Sequence, residues 1–74
     1  MKTTEILKAI MTAKDVGVTK LASRLGKKTN VISERVRQTN ISIDKLNEML
    51  RVLDYKVVIV PIDGKLPKDS FEVE

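Results

Sequence analysis

Residues 18–37, VTKLASRLGKKTNVISERVR, carry the side chains with the most specific chemistry in the chain. Once the apolar positions are set aside, Lys27, Lys28, Thr29, Asn30, Ser33 and Arg37 remain, with Glu34 among them. They offer cationic donors, one carboxamide and two hydroxyls. Asn pairs bidentately with adenine, and Lys or Arg donates to O6 and N7 of guanine, so such a group suits the major groove of DNA. An ordinary solvated helix face uses the same residue types. The elements that carry them therefore decide what they mean.

To bring these groups together, the stretch must fold as helix, tight turn and helix. Ala22 and Gly26 have the spacing of two short helices that cross closely, and Leu21, Leu25, Val31, Ile32 and Val36 supply apolar contacts. One helix is expected over residues 18–25, ended by Gly26 in the left-handed conformation that glycine adopts without steric cost. The next is expected over residues 29–38, with Ile32 and Val36 four apart and inward. Ahead of them, Ile6, Leu7, Ile10 and Met11 mark a helix over residues 3–14, capped by Thr3 or Thr4 and broken by Asp15 and Gly17. After a polar connection, Ser42 caps a fourth helix over residues 43–53, whose stripe is Ile43, Leu46, Met49, Leu50 and Leu53.

Residues 56–61, KVVIVP, change character. Four β-branched residues in a row read as a strand covered on both faces, and Pro61 limits how far it pairs. Asp63-Gly64 signals a turn. Residues 65–74 then either return as a weak second strand over 70–73 or stay disordered, which divides the chain into a domain over 1–61 and a tail over 62–74. A lone strand needs a partner. Either the tail folds back on it or the same strand of a second copy pairs antiparallel across a two-fold axis. In the second case Val57, Val58, Ile59 and Val60 are the dimer contacts.

Seventy-four residues make one domain with a modest core. With no Cys and no His, zinc fingers and His-based catalysis are excluded. No carboxylate pair has a catalytic setting, and the three glycines are too dispersed for a phosphate-cradling loop. A non-enzyme without metal or cofactor is expected. Tyr55 and Phe71 are too few for stacking single-stranded bases. No apolar run is long enough to span a bilayer, and the N-terminal segment with its Glu5 is unlike a signal peptide, so a cytoplasmic location without membrane partners is expected. The net charge of +4 is uneven. Residues 20–37 hold six basic residues and one acid, whereas residues 57–74 hold two lysines and four acids. A polyanion partner at one end of the molecule follows.

Leu21, Ala22, Leu25, Gly26, Ile32, Ser33 and Val36 together resemble the helix-turn-helix of the phage Cro/repressor superfamily, the xenobiotic-response-element type. The stretch that follows, ISIDKLNEMLRVLDYKVVIV, is similar to the Ser-capped helix and short strand that many members carry. Leu53-Asp54-Tyr55 stands where a subset similar to DNA-binding antitoxins has Leu-Gly-Tyr. The resemblance covers about residues 3–60. Lys27 and Arg35 depart from it: they occupy positions where the family usually has apolar residues, so either the turn is shifted or these cations face phosphates. Val18 replaces a Gln that often contacts the DNA backbone.

The resemblance implies a mainly α fold, a four-helix Cro/repressor-like helix-turn-helix domain with a short C-terminal β-strand or hairpin. It places the third helix in the major groove, with Lys28, Thr29, Asn30, Ser33 and Arg37 at base edges and Lys20, Lys27, Gln38, Thr39 and Asn40 at phosphates. Arg24 and Arg35 are alternatively members of surface ion pairs. The expected function is sequence-specific binding of double-stranded DNA by a homodimeric transcriptional regulator at a palindromic operator. The alternatives are an antitoxin, with the acidic tail on a toxin partner, and a protein-interaction module without DNA binding.

Overall fold

Four helices form where the apolar spacing sets them: α1 (Thr3–Ala13), α2 (Val18–Leu25), α3 (Thr29–Arg37) and α4 (Ile43–Arg51). Two short strands, β1 (Val58–Ile59) and β2 (Phe71–Glu72), follow as an antiparallel pair. The computed structural model describes residues 1–63 and 70–74. The turn expected at Asp63-Gly64 therefore runs outside the described residues. No helix among those described is long and apolar enough to cross a membrane.

Three of the four helices end in the same way. After α2, Gly26 takes φ 66°, its N–H bonds Ser23 C=O at 3.2 Å, and the N–H of Lys27 reaches back to Ala22 C=O at 3.0 Å. This double bond pattern around a left-handed residue satisfies carbonyls that the helix end leaves open. Asp15 (φ 55°) ends α1 alike, with Val16 N–H on Met11 C=O at 2.9 Å. Asp54 (φ 66°) does so after α4, with Tyr55 N–H on Leu50 C=O at 2.9 Å. The left-handed site after α4 is therefore the Asp54 position, where the resembled subset carries glycine.

The helix starts differ from expectation in one place. Thr3 and Thr4 lie inside α1, and the Glu5 carboxylate instead accepts the Lys2 backbone N–H at 3.0 Å. Ser42 caps α4 as expected, its Oγ accepting the Lys45 N–H at 3.2 Å.

The core is built from Leu7 and Met11 of α1, Val16, Leu21 and Ala22 of α2, Ile32 and Val36 of α3, and Met49, Leu50 and Leu53 from α4 and its end. Ala22, 1% exposed, is the small residue where α2 and α3 meet, and these two helices make the closest-knit pair in the chain. Three residues expected inside are substantially exposed: Ile6, Val31 and Ile43. Each lies in the opening turn of its helix.

The strand reading needs a larger correction. The tail does fold back, with Val58 opposite Glu72 and Ile59 opposite Phe71. However, Val58, Ile59 and Val60 are exposed, not covered on both faces. Only Val57 packs on the core. Two strands cannot cover both faces of themselves, and the helices reach only the near end of the hairpin.

Asn47, 4% exposed, fixes that near end. Its Oδ1 accepts the Val57 N–H at 3.1 Å, and its Nδ2 donates to Val73 C=O at 2.9 Å. The Val73 N–H bonds Val57 C=O directly at 2.9 Å. The carboxamide of Asn47 thus completes the ladder as an extra peptide group would. Arg51 adds a bond from Nη2 to the same Val73 carbonyl at 2.8 Å.

These anchors can be tested by substitution. Around Gly26 an added Cβ meets nothing within 4 Å, so Gly26→Ala tests the backbone alone and should cost about 1–2 kcal/mol in urea unfolding. Asp54→Gly, at the same conformation, should raise stability by up to about 1 kcal/mol. Asn47→Ala removes two hydrogen bonds from a buried site and should cost about 2–3 kcal/mol. The amide of Val73 should then lose its protection from hydrogen exchange while those of α2 and α3 keep theirs.

Candidate nucleic-acid interface

The exposed face of α3 is fixed from behind by Ile32, fully buried, and Val36. With those two held in the core, Lys28, Thr29 and Asn30 project from the first turn into solvent, and Ser33 sits half-buried one turn on. Lys28 precedes α3 in extended conformation and provides no side-chain cap, while its C=O accepts the Val31 N–H at 3.1 Å. Among the described residues, the side chains of Lys28, Thr29, Asn30 and Ser33 make no hydrogen bond or ion pair. Arg37 differs. Its Nη2 lies 3.0 Å from Glu34 Oε1, an exposed pair of the kind that contributes little.

The residues expected at phosphates fall into separate places. Lys20 is exposed on α2 without an acidic partner among the described residues. Gln38, Thr39 and Asn40 connect α3 to α4 and line an open polar concavity of about 580 Å³ with Arg37, Ser42 and Lys45. Lys45 adds a cation there that sequence reasoning did not single out.

Lys27 and Arg35 share one partner. Arg35 Nη1 donates to Glu48 Oε1 at 2.6 Å, and Lys27 Nζ lies 4.0 Å from Glu48 Oε2. The Arg35 side chain is only 11% exposed. Both cations stand where the resembled family carries apolar residues, and here a carboxylate from α4 meets them in place of an apolar plug. Arg35 thus falls to the ion-pair alternative. The hydrogen bond from Arg35, aided by the charges of Lys27 and Arg35, holds the Glu48 carboxyl below its ordinary value of 4.5 despite slight desolvation. Glu72 is lowered likewise by Lys56 at 3.0 Å and Arg51 at 2.9 Å.

Two signals for the missed residues were present in the sequence. Asn47 occupies a position of the α4 stripe, one after Leu46 and three before Leu50, where a polar residue must find partners inside. Two cations at plug positions likewise require an acid, and Glu48 on the neighbouring helix provides it.

Comparison with protein-family models, with curated proteins and with solved structures finds no match to this chain. The geometry alone bears on function.

Both lowered carboxylates set the sign of a pH effect. A group whose folded value lies below its unfolded one adds stability that is present above the unfolded value and lost as pH falls through the folded one. Unfolding midpoints in urea should therefore hold above about pH 4.5 and decline on acidification below it. Glu48→Gln should flatten part of that decline.

Proposed function

We propose that this chain binds double-stranded DNA sequence-specifically through α3, as a small Cro/repressor-like regulator that acts by occupying its operator and not by catalysis. The observation that carries this reading is the first turn of α3. Lys28, Thr29 and Asn30 stand exposed and uncommitted there, on a helix held rigid by Ile32 and Val36. Ser33 and Arg37 continue the face, and Lys20 with the concavity of Gln38, Thr39 and Asn40 flanks it for phosphates. Donors on a fixed helix suit base edges, and flanking cations set its register on the duplex.

The hairpin supports a second copy as partner. Residues two apart on a strand share a face, so Ile59 and Phe71 continue the face on which Val57 packs against the core. They remain 54% and 71% exposed. A second copy covering Ile59 and Phe71 gives the two-fold axis that a palindromic operator needs, with half-sites about one helical turn apart, and Val58 faces the other side of the hairpin. Val57 is committed to its own core and drops out of the dimer contacts. The second reading is an antitoxin with its acidic tail on a toxin partner; the chain would then co-purify with a second protein.

Fluorescent duplex DNA from the region upstream of the gene, titrated at two salt concentrations beside a scrambled duplex, tests the proposal. Tight binding to the first duplex alone, weakened by salt and footprinted as two half-sites, is the expected outcome. Replacing Lys28, Asn30 and Arg37 together by Ala should lower affinity at least 100-fold, since each good pairing with a base edge is worth about 1–3 kcal/mol. Equal, weak binding to both duplexes would reduce the interaction to its charge component and count against an operator.

A further inference from the structure

The Glu48 carboxylate lies beside Lys27, a residue expected at a phosphate. The two contacts of its carboxylate are unequal. Arg35 is hydrogen-bonded at 2.6 Å and nearly buried, whereas Lys27 is held only by charge, at 4.0 Å with its side chain 33% exposed. Arg35 therefore anchors the carboxylate and Lys27 is the cation it can release. Lys27 lies in the turn that leads into α3, beside Lys28 and the exposed first turn. A duplex seated on that turn brings phosphate oxygens within reach of the same ammonium.

We propose that Glu48 competes with backbone phosphate for Lys27 and so sets the sequence-independent part of the affinity for DNA. The proposal rests on the DNA-binding reading of α3. Phosphate contacts carry no sequence information, and each cation that neutralises a phosphate tightens binding to every duplex alike. A carboxylate that withholds one such cation lowers affinity for every duplex by the same factor and leaves the discrimination made by base contacts as it was. Glu48→Gln keeps an amide oxygen for Arg35 and frees Lys27.

The test compares Glu48→Gln with Asp44→Asn, which removes the same charge from an exposed position of α4. Binding to a scrambled duplex is followed across salt concentrations, and elution from heparin is measured beside it. Glu48→Gln should bind the scrambled duplex more tightly, with a slope of log affinity against log salt steeper by about 0.9, the value for one added phosphate contact. It should leave heparin later than Asp44→Asn, and adding Lys27→Ala should cancel both gains. Equal behaviour of the two variants, or a gain that survives Lys27→Ala, overturns the proposal. If the unaltered chain binds no duplex at any salt, the operator reading fails, and the heparin comparison still decides the role of Glu48. If Glu48→Gln does not fold, Lys27→Ala alone decides. It leaves the slope unchanged where Glu48 holds the ammonium, and flattens it by about 0.9 where phosphate already does.

Discussion

The left-handed residue that closes a helix governs how this chain is put together. A helix can pack on its neighbour only if the chain turns sharply at its end without orphaning carbonyls. Gly26 does this between α2 and α3, Asp15 between α1 and α2, and Asp54 between α4 and the hairpin. Because each turn is short, Leu7, Leu21, Ile32 and Met49 arrive at one point and are fully buried. The orientation of the outer face of α3 is then a by-product of core packing. Once Ile32 and Val36 point inward, Lys28, Thr29 and Asn30 have nowhere to point but out.

Charge takes over part of the role that apolar contact has elsewhere. The salt bridge of Arg35 and Lys27 with Glu48 ties α3 and its preceding turn to α4, with the Arg35 side chain nearly buried and the Glu48 carboxylate still open to water. The second tie between distant parts is also polar. Asn47 and Arg51 hold the hairpin by hydrogen bonds to Val57 and Val73, with Val57 the sole apolar contact of that run against the core. A small core is thus supplemented by three polar anchors on α4, at Asn47, Glu48 and Arg51. That helix joins the proposed DNA face to the proposed dimer face.

The helices were legible in the sequence because their signals are local. The stripe of α4, the Ser42 cap and the glycine after Leu25 each depend on residues a few positions apart, and each element appears within two residues of its expected end. The return of the tail was legible only as one of two alternatives. Contacts across long separations were not legible. Asn47 meets Val73 over 26 residues and Arg35 meets Glu48 over 13, and nothing in the local pattern pairs them. The exposure of residues 58–60 was hidden for a related reason. A β-branched run records what a strand needs, whereas its cover depends on how far the helices extend. On α3, residue types and spacing pointed to an exposed polar face, and the structure places Lys28, Thr29 and Asn30 there; Lys27, grouped with them by sequence, is turned toward Glu48.

The hairpin that leaves valines and an isoleucine in water also limits what can be built on it. An uncharged β-branched run at an open sheet edge is a template for stacking chain upon chain into fibres. Here the run is bracketed. Lys56 stands before it, paired with Glu72 across the hairpin, and Pro61 after it has no N–H to offer a growing ladder. Such flanking residues act as gatekeepers. An edge this short and this closely bounded has room for one incoming strand, which favours an assembly that closes on itself over one that propagates.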